Sequence, residues 1–329
     1  MSKQRTVESV VEATEQAEGQ GARVRRAIGG RHDKFNPFLL FDHFKLKGSN
    51  GFPDHPHKGQ ETITYLLKGK VAHEDFTGSK GALYPGDLQF MTAGKGIVHS
   101  EMPVPSEDGT PVEGIQLWVD LPKELKETEP RYRDLREWEI PEVVQQNGDM
   151  KVRVISGKSY GVESIKELAY TPVDYYFYTL KPGANFKQEL NTNFNYLMYV
   201  LNGKKLVLGE KTALRQYQCA FFNRDGDYIT GVNQGDDEVQ FVLVGGIKLD
   251  QEIVQYGPFV GCDEEFIQDA FVEYQTATKG FTQRRGWSSK IANGVTNDMV
   301  EGHLDGTLEK RLEQKEAYLA AKAKAGESH

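Results

Sequence analysis

Cysteine is nearly absent from this chain. The two present, Cys219 and Cys262, make no disulfide framework, which points to a reducing compartment. Basic charge is also short: 40 Lys and Arg stand against 48 Asp and Glu, a formal net charge of -8. Affinity for a phosphate backbone comes from counterions released at a basic surface, so this balance argues against direct nucleic-acid binding. No apolar run reaches the length that spans a bilayer, and Met1 to Glu8 carry no apolar signal core. A soluble intracellular protein with no membrane contact is expected. No Gly-x-Ser-x-Gly elbow occurs and neither cysteine has a histidine nearby in sequence, which leaves nucleophilic catalysis little footing. A phosphate loop is missing too, and Gly94-Lys95-Gly96 reads as a β-turn. Finally, histidine is missing from the whole stretch between His99 and His303.

What is present is strand signal. The 329 residues suit about two domains, and 34 glycines with 38% hydrophobic residues supply turns and cores. Short β-branched or aromatic runs at 38–44, 62–67, 88–92, 97–102 and 115–121 are each closed by turn residues. They resume at 152–156, 175–180, 196–201, 205–208, 219–223 and 239–245. This spacing predicts antiparallel barrels or sandwiches rather than βαβ units. The run from Glu61 to Val71 overlays that from Asn195 to Lys205 at an offset of 134, so two tandem copies of one small barrel are expected. The polar stretch 122–148 is the natural boundary. Residues 1–135 are assigned to a first barrel, 136–293 to a second, and 294–329 to a polar helical tail. Helices are expected over 263–277, with Phe266, Ile267, Ala270, Phe271 and Tyr274 on one face, and over 307–324, with a thin solvated stripe of Leu308, Leu312 and Leu319. Arg23, Arg25, Arg26 and Arg31 read as the solvent face of an early strand.

One constellation carries chemistry. His55-Pro56-His57 precedes a strand, and His99-Ser100-Glu101 follows 42 residues after His57. In extended backbone, residues i and i+2 share a face, so each triplet presents two ligand atoms in one direction. Three imidazoles and a carboxylate suit a borderline divalent metal and leave octahedral positions open. Glu61, four residues past His57, competes with Glu101 for the carboxylate place, and spacing does not decide between them. His32, His43, His73, His303 and His329 lack such a partner and read as surface or packing residues. At the 134-residue offset, Glu189 and Asn191 fall where His55 and His57 stand, so the second barrel is expected to lack a site.

Several segments resemble the pirin family of the cupin superfamily. They include Gly51-Phe-Pro-Asp-His-Pro-His57, Ala72-His-Glu-Asp-Phe76, Pro85-Gly-Asp-Leu-Gln89, Gly96-Ile-Val-His-Ser-Glu-Met-Pro103, Gln116-Leu-Trp118 and Gly257-Pro-Phe-Val260. The likeness runs from about residue 20 to 293. It implies an all-β fold of two tandem cupin barrels, with one iron, Fe(II) or Fe(III), in the first barrel held by His55, His57, His99 and Glu101. Nickel, copper or manganese suits the same donors. The resemblance implies either of two roles. One is a quercetin 2,3-dioxygenase taking a flavonol-like small molecule, with Glu101 as base and polar groups such as Gln116 behind the histidines. The other is an iron-sensing co-regulator in nucleus and cytoplasm that binds a transcription or signalling protein. A monomer is expected. Two departures from the family pattern stand out: Gln60 occupies a position usually aromatic, and residues 294–329 extend beyond the usual end.

Overall fold

The computed structural model describes residues 2–19, 21–29, 35–165, 169–209 and 211–326. Two β-barrels lie side by side, each made of one seven-stranded and one four-stranded antiparallel sheet. In the first barrel the large sheet runs Arg131–Leu135, Leu88–Thr92, Gln60–Lys68, Val112–Asp120, Phe38–Leu46, Ala22–Ile28, Glu15–Glu18. The small sheet runs Phe52–His57, Ile97–Val104, Lys70–Asp75, Lys80–Leu83. In the second barrel the corresponding inner strands are Gln218–Phe222, Phe194–Asn202, Val239–Ile247 and Val173–Leu180. Strands Gln60–Lys68 and Phe194–Asn202 occupy equivalent places, and their bounds differ by the expected 134 residues at both ends. The all-β two-barrel fold read from the sequence is the observed one.

Strand alternation explains how the barrels meet. Along Gln60–Lys68 and Val112–Asp120, Ile63, Tyr65, Ile115, Leu117 and Val119 point away from the first barrel. They pack against Tyr175, Leu197, Tyr199, Val242 and Val244 of the second, forming one shared core. The intervening residues, Thr64, Gln116 and Trp118, face the first barrel's interior. The interior of the second barrel is instead bulky: Tyr178, Met198, Phe186 and Phe241 fill it. At period two, one face of each sheet therefore builds the interface and the other decides whether a barrel is solid or hollow.

The ends of the chain cross over. Strand Val7–Glu12 pairs with Gln218–Phe222 and takes, in the second barrel, the place that Arg131–Leu135 takes in the first. Residues 1–135 therefore do not form a self-contained unit. The stretch 122–148, read as a boundary, contributes strands to both large sheets, Arg131–Leu135 to the first and Glu142–Gln145 to the second. At the other end, helix α1 (Glu264–Thr276) is capped by the Asp263 side chain and buries the expected face against the first barrel, with Ile267 and Ala270 beside Met91, Ile97 and Val98. Gly59 makes room for this segment: it has φ +77°, and a Cβ there would lie 2.0 Å from the Val260 carbonyl oxygen. Past residue 287 the chain is more than a polar tail. Ile291, Val295, Val300 and Leu304 bury themselves on Ala72, Met102 and Val104. Only helix α2 (Leu308–Gly326) is solvated as expected, with Leu308, Leu312 and Leu319 each half exposed or more.

Candidate metal centre

His55 and His57 sit on strand Phe52–His57, and His99 stands directly opposite His55 on Ile97–Val104. One ligand atom from each of the three rings lies within 4.8 Å of the others. The strand spacing alone produces this convergence, because the two triplets face one another across antiparallel neighbours. Among the described residues no second cluster of this kind occurs.

The rings are held from behind. The His55 Nδ1–H donates to the Pro53 carbonyl at 2.8 Å, which fixes the tautomer and leaves Nε2 with a free lone pair. His57 Nδ1 lies 2.7 Å from the Gln60 carboxamide, and His99 Nδ1 lies 3.3 Å from the Tyr132 hydroxyl. All three Nδ1 atoms are engaged, which leaves the Nε2 atoms as the ring positions not tied to a bracing group. Those of His55 and His99 are 3.0 Å apart, and that of His57 is buried without a partner. Two ligands at right angles, each about 2.1 Å from one ion, lie about 3.0 Å apart, so this spacing fits a divalent transition metal. Burial, and then the neighbouring imidazoles, hold His57 and His99 well below the ordinary histidine pKa; burial also lowers His55. The rings are neutral, as ligands must be.

Glu101 is buried and lines the same cavity as His55 and His57. Desolvation raises its pKa against the opposing pull of the Thr64 hydroxyl, 3.2 Å away. Glu61, its rival in sequence, is committed elsewhere. It accepts from the Thr92 hydroxyl and from the backbone N–H groups of Tyr170 and Thr171, tying the first barrel to the second.

The cavity measures about 700 Å³, within the range of small-molecule sites. Leu39, Leu40, Phe44 and Trp118 give it apolar walls. Across its floor runs a polar row at one register position on successive strands, Arg26, Asp42, Gln116 and Thr64, which ends at Glu101. Arg26 is therefore not on a solvent face. Its guanidinium grips Asp42 at 2.6 and 2.8 Å and Glu18 at 2.7 Å. Gln116, expected behind the histidines, touches none of them and accepts from Thr64 instead.

The other described histidines, His43, His73 and His303, make packing and hydrogen-bond contacts away from the cluster. Buried His73 meets Asp134 and stacks on Tyr132, His43 meets Tyr199, and His303 meets Glu74. Arg31, His32 and His329 lie outside the described residues. In the second barrel the inward residues of strand Asn185–Glu189 are Phe186 and Gln188, while Glu189 and Asn191 are exposed. The offset therefore misplaced the facing residues by one position. Tyr132 went unread because it lies between Arg131 and Arg133 in a charged stretch.

A pirin family model matches residues 21–119, and a model of the pirin C-terminal cupin domain matches residues 175–280. Pirin from Homo sapiens is 41% identical over 298 residues, covering 89% of this chain and 100% of that protein. The chain belongs to the pirin family. A pirin-like protein of Solanum lycopersicum is 39% identical over 291 residues, covering 88% of this chain and 98% of its own length. Among solved structures, quercetin 2,3-dioxygenase from Acinetobacter baumannii superposes with a TM-score of 0.75 at 25% identity, covering 84% of this chain and 98% of that one. The three-histidine cluster of this pirin lies within the first of the two matched segments.

Proposed function

We propose that this pirin is a metal-dependent oxygenase of the quercetin 2,3-dioxygenase type, with His55, His57, His99 and Glu101 as the metal ligands. The observation that carries the reading is the ring of neutral, back-braced imidazoles opening with Glu101 into a cavity of small-molecule size. The likeness to the Acinetobacter dioxygenase supports it. A bound iron, nickel, copper or manganese ion supplies Lewis acidity that lowers the cost of a flavonolate anion and couples it to dioxygen. The chain's own residues do the rest. Leu39, Leu40, Phe44 and Trp118 sandwich a flat apolar ring and exclude water. Glu101 accepts the proton of the flavonol 3-hydroxyl. Thr64 has one hydroxyl proton for two acceptors, Glu101 Oε1 and Gln116 Oε1. Once Glu101 is protonated, Thr64 donates to Gln116 and accepts from Glu101, which holds the proton in place. The overall reaction incorporates both atoms of dioxygen, opens the heterocycle and expels one carbon as carbon monoxide.

Incubating iron-loaded protein with quercetin, in air and without it, tests the reading. Loss of flavonol absorbance with carbon monoxide release, in air only and abolished by His99→Ala, is the expected result. No turnover by the loaded protein, or equal turnover by the variant, contradicts it.

A further inference from the structure

Gln60 is fully buried, three residues past His57, and its side chain is the sole hydrogen-bonding contact given to His57 Nδ1 among the described residues. Two buried atoms in this corner have no partner: Gln60 Oε1 and His57 Nε2. The two ends of a carboxamide are nearly interchangeable in shape, so the pairing must be assigned from chemistry. With the amide N–H toward Nδ1, His57 carries its proton on Nε2, where it meets nothing and blocks a metal. With the oxygen toward Nδ1, the ring donates Nδ1–H to Oε1, and the Nε2 lone pair points among the other two imidazoles. That orientation gives up the long 3.4 Å contact from the amide to the Pro258 carbonyl and turns the amide nitrogen to the side where Oε1 has no partner, and in return it frees the buried His57 Nε2 lone pair for a ligand.

We propose that Gln60 is a positioning residue that fixes the tautomer and ring orientation of His57, and so sets how tightly the centre holds a divalent transition ion. The inference rests on the metal reading of the three histidines. Partners of this kind behind a metal-bound histidine contribute about 10–100-fold in affinity.

The test compares native protein with Gln60→Leu, which removes the acceptor, and Gln60→Glu, which keeps it. Nitrogen-15 NMR of the imidazoles in metal-free protein reads the His57 tautomer, and chelator competition reads Ni(II) affinity. A melting curve on each variant shows that it is folded. Native and Gln60→Glu proteins are expected to show Nδ1–H on His57 and to hold Ni(II) tightly. Gln60→Leu is expected to show mixed tautomers and to bind about 10–100-fold more weakly. If native protein and folded Gln60→Leu bind Ni(II) equally with the same tautomer, the inference is overturned while the metal reading stands. If native protein takes up no metal, the metal reading falls and this inference with it.

Discussion

Each imidazole of the centre is braced by a different chemical group: a carbonyl at His55, a carboxamide at His57 and a phenol at His99. A carbonyl only accepts, so the His55 tautomer is fixed, whereas a phenol both donates and accepts and holds His99 less strictly. Tyr132→Phe is therefore expected to keep the fold and weaken metal retention by about tenfold, measured by chelator competition. The clustering of the three histidines was legible in sequence, because a strand turns a two-residue spacing into a shared direction. Their supports were not. Pro53 acts through its backbone, Tyr132 is hidden between arginines in a polar stretch, and Gln116 faces the cavity rather than a histidine. Choosing between Glu61 and Glu101 required knowing that alternate residues of strand Gln60–Lys68 face the barrel interface.

At the scale of elements, the segment after residue 287 braces the histidine-bearing strands from outside. Asp54, next to His55, accepts from the Ser288 hydroxyl and the Ser289 N–H. Ser100, between His99 and Glu101, meets the Ser289 hydroxyl at 2.9 Å, and Glu74 accepts from the Lys290 N–H. Helix α2 anchors itself through Arg311, which grips the fully buried Asp87 with two hydrogen bonds and lies over Tyr84 and Trp138, and through the more exposed pair of Lys315 with Glu137. Ending the chain at residue 307 is expected to cost about 1–3 kcal/mol, because buried Asp87 loses Arg311 but keeps Arg136. Ending it at residue 287 uncovers Ile291, Val295, Val300 and Leu304 and is expected to cost more than about 4 kcal/mol. Urea denaturation of the two truncations measures the contrast, and equal midpoints would remove the bracing role. Helix α1 was legible from its apolar periodicity. The crossing of the termini was not, since a strand's sequence does not say which sheet it joins.

At the scale of the whole molecule, the two barrels share a core, and His43 sits at its margin, 3.2 Å from the Tyr199 hydroxyl across the interface. Burial pushes its pKa down from 6.5 to about 4, against the opposing pull of Glu113. The unfolded chain therefore binds the extra proton between pH 6.5 and 4, and stability falls as pH drops through that window. Asp174, pushed up to about 6 by burial, works in the opposite sense, so native and variant must be compared. His43→Gln is expected to lose about 1–2 kcal/mol less than native protein between pH 7 and pH 5, read by urea unfolding at each pH. The duplication was legible from one repeated strand and its 134-residue offset. The hollowness of one copy and the solidity of the other were not, because they depend on which side chains meet across the barrel. That hollow barrel carries the central claim, that three histidines and Glu101 hold one transition ion per chain. Elemental analysis of purified native protein and of folded His99→Ala tests it most directly. About one iron, nickel, copper or manganese per native chain, lost in the variant, is the predicted result; a metal-free native protein, or a variant that keeps its full complement, would contradict the account.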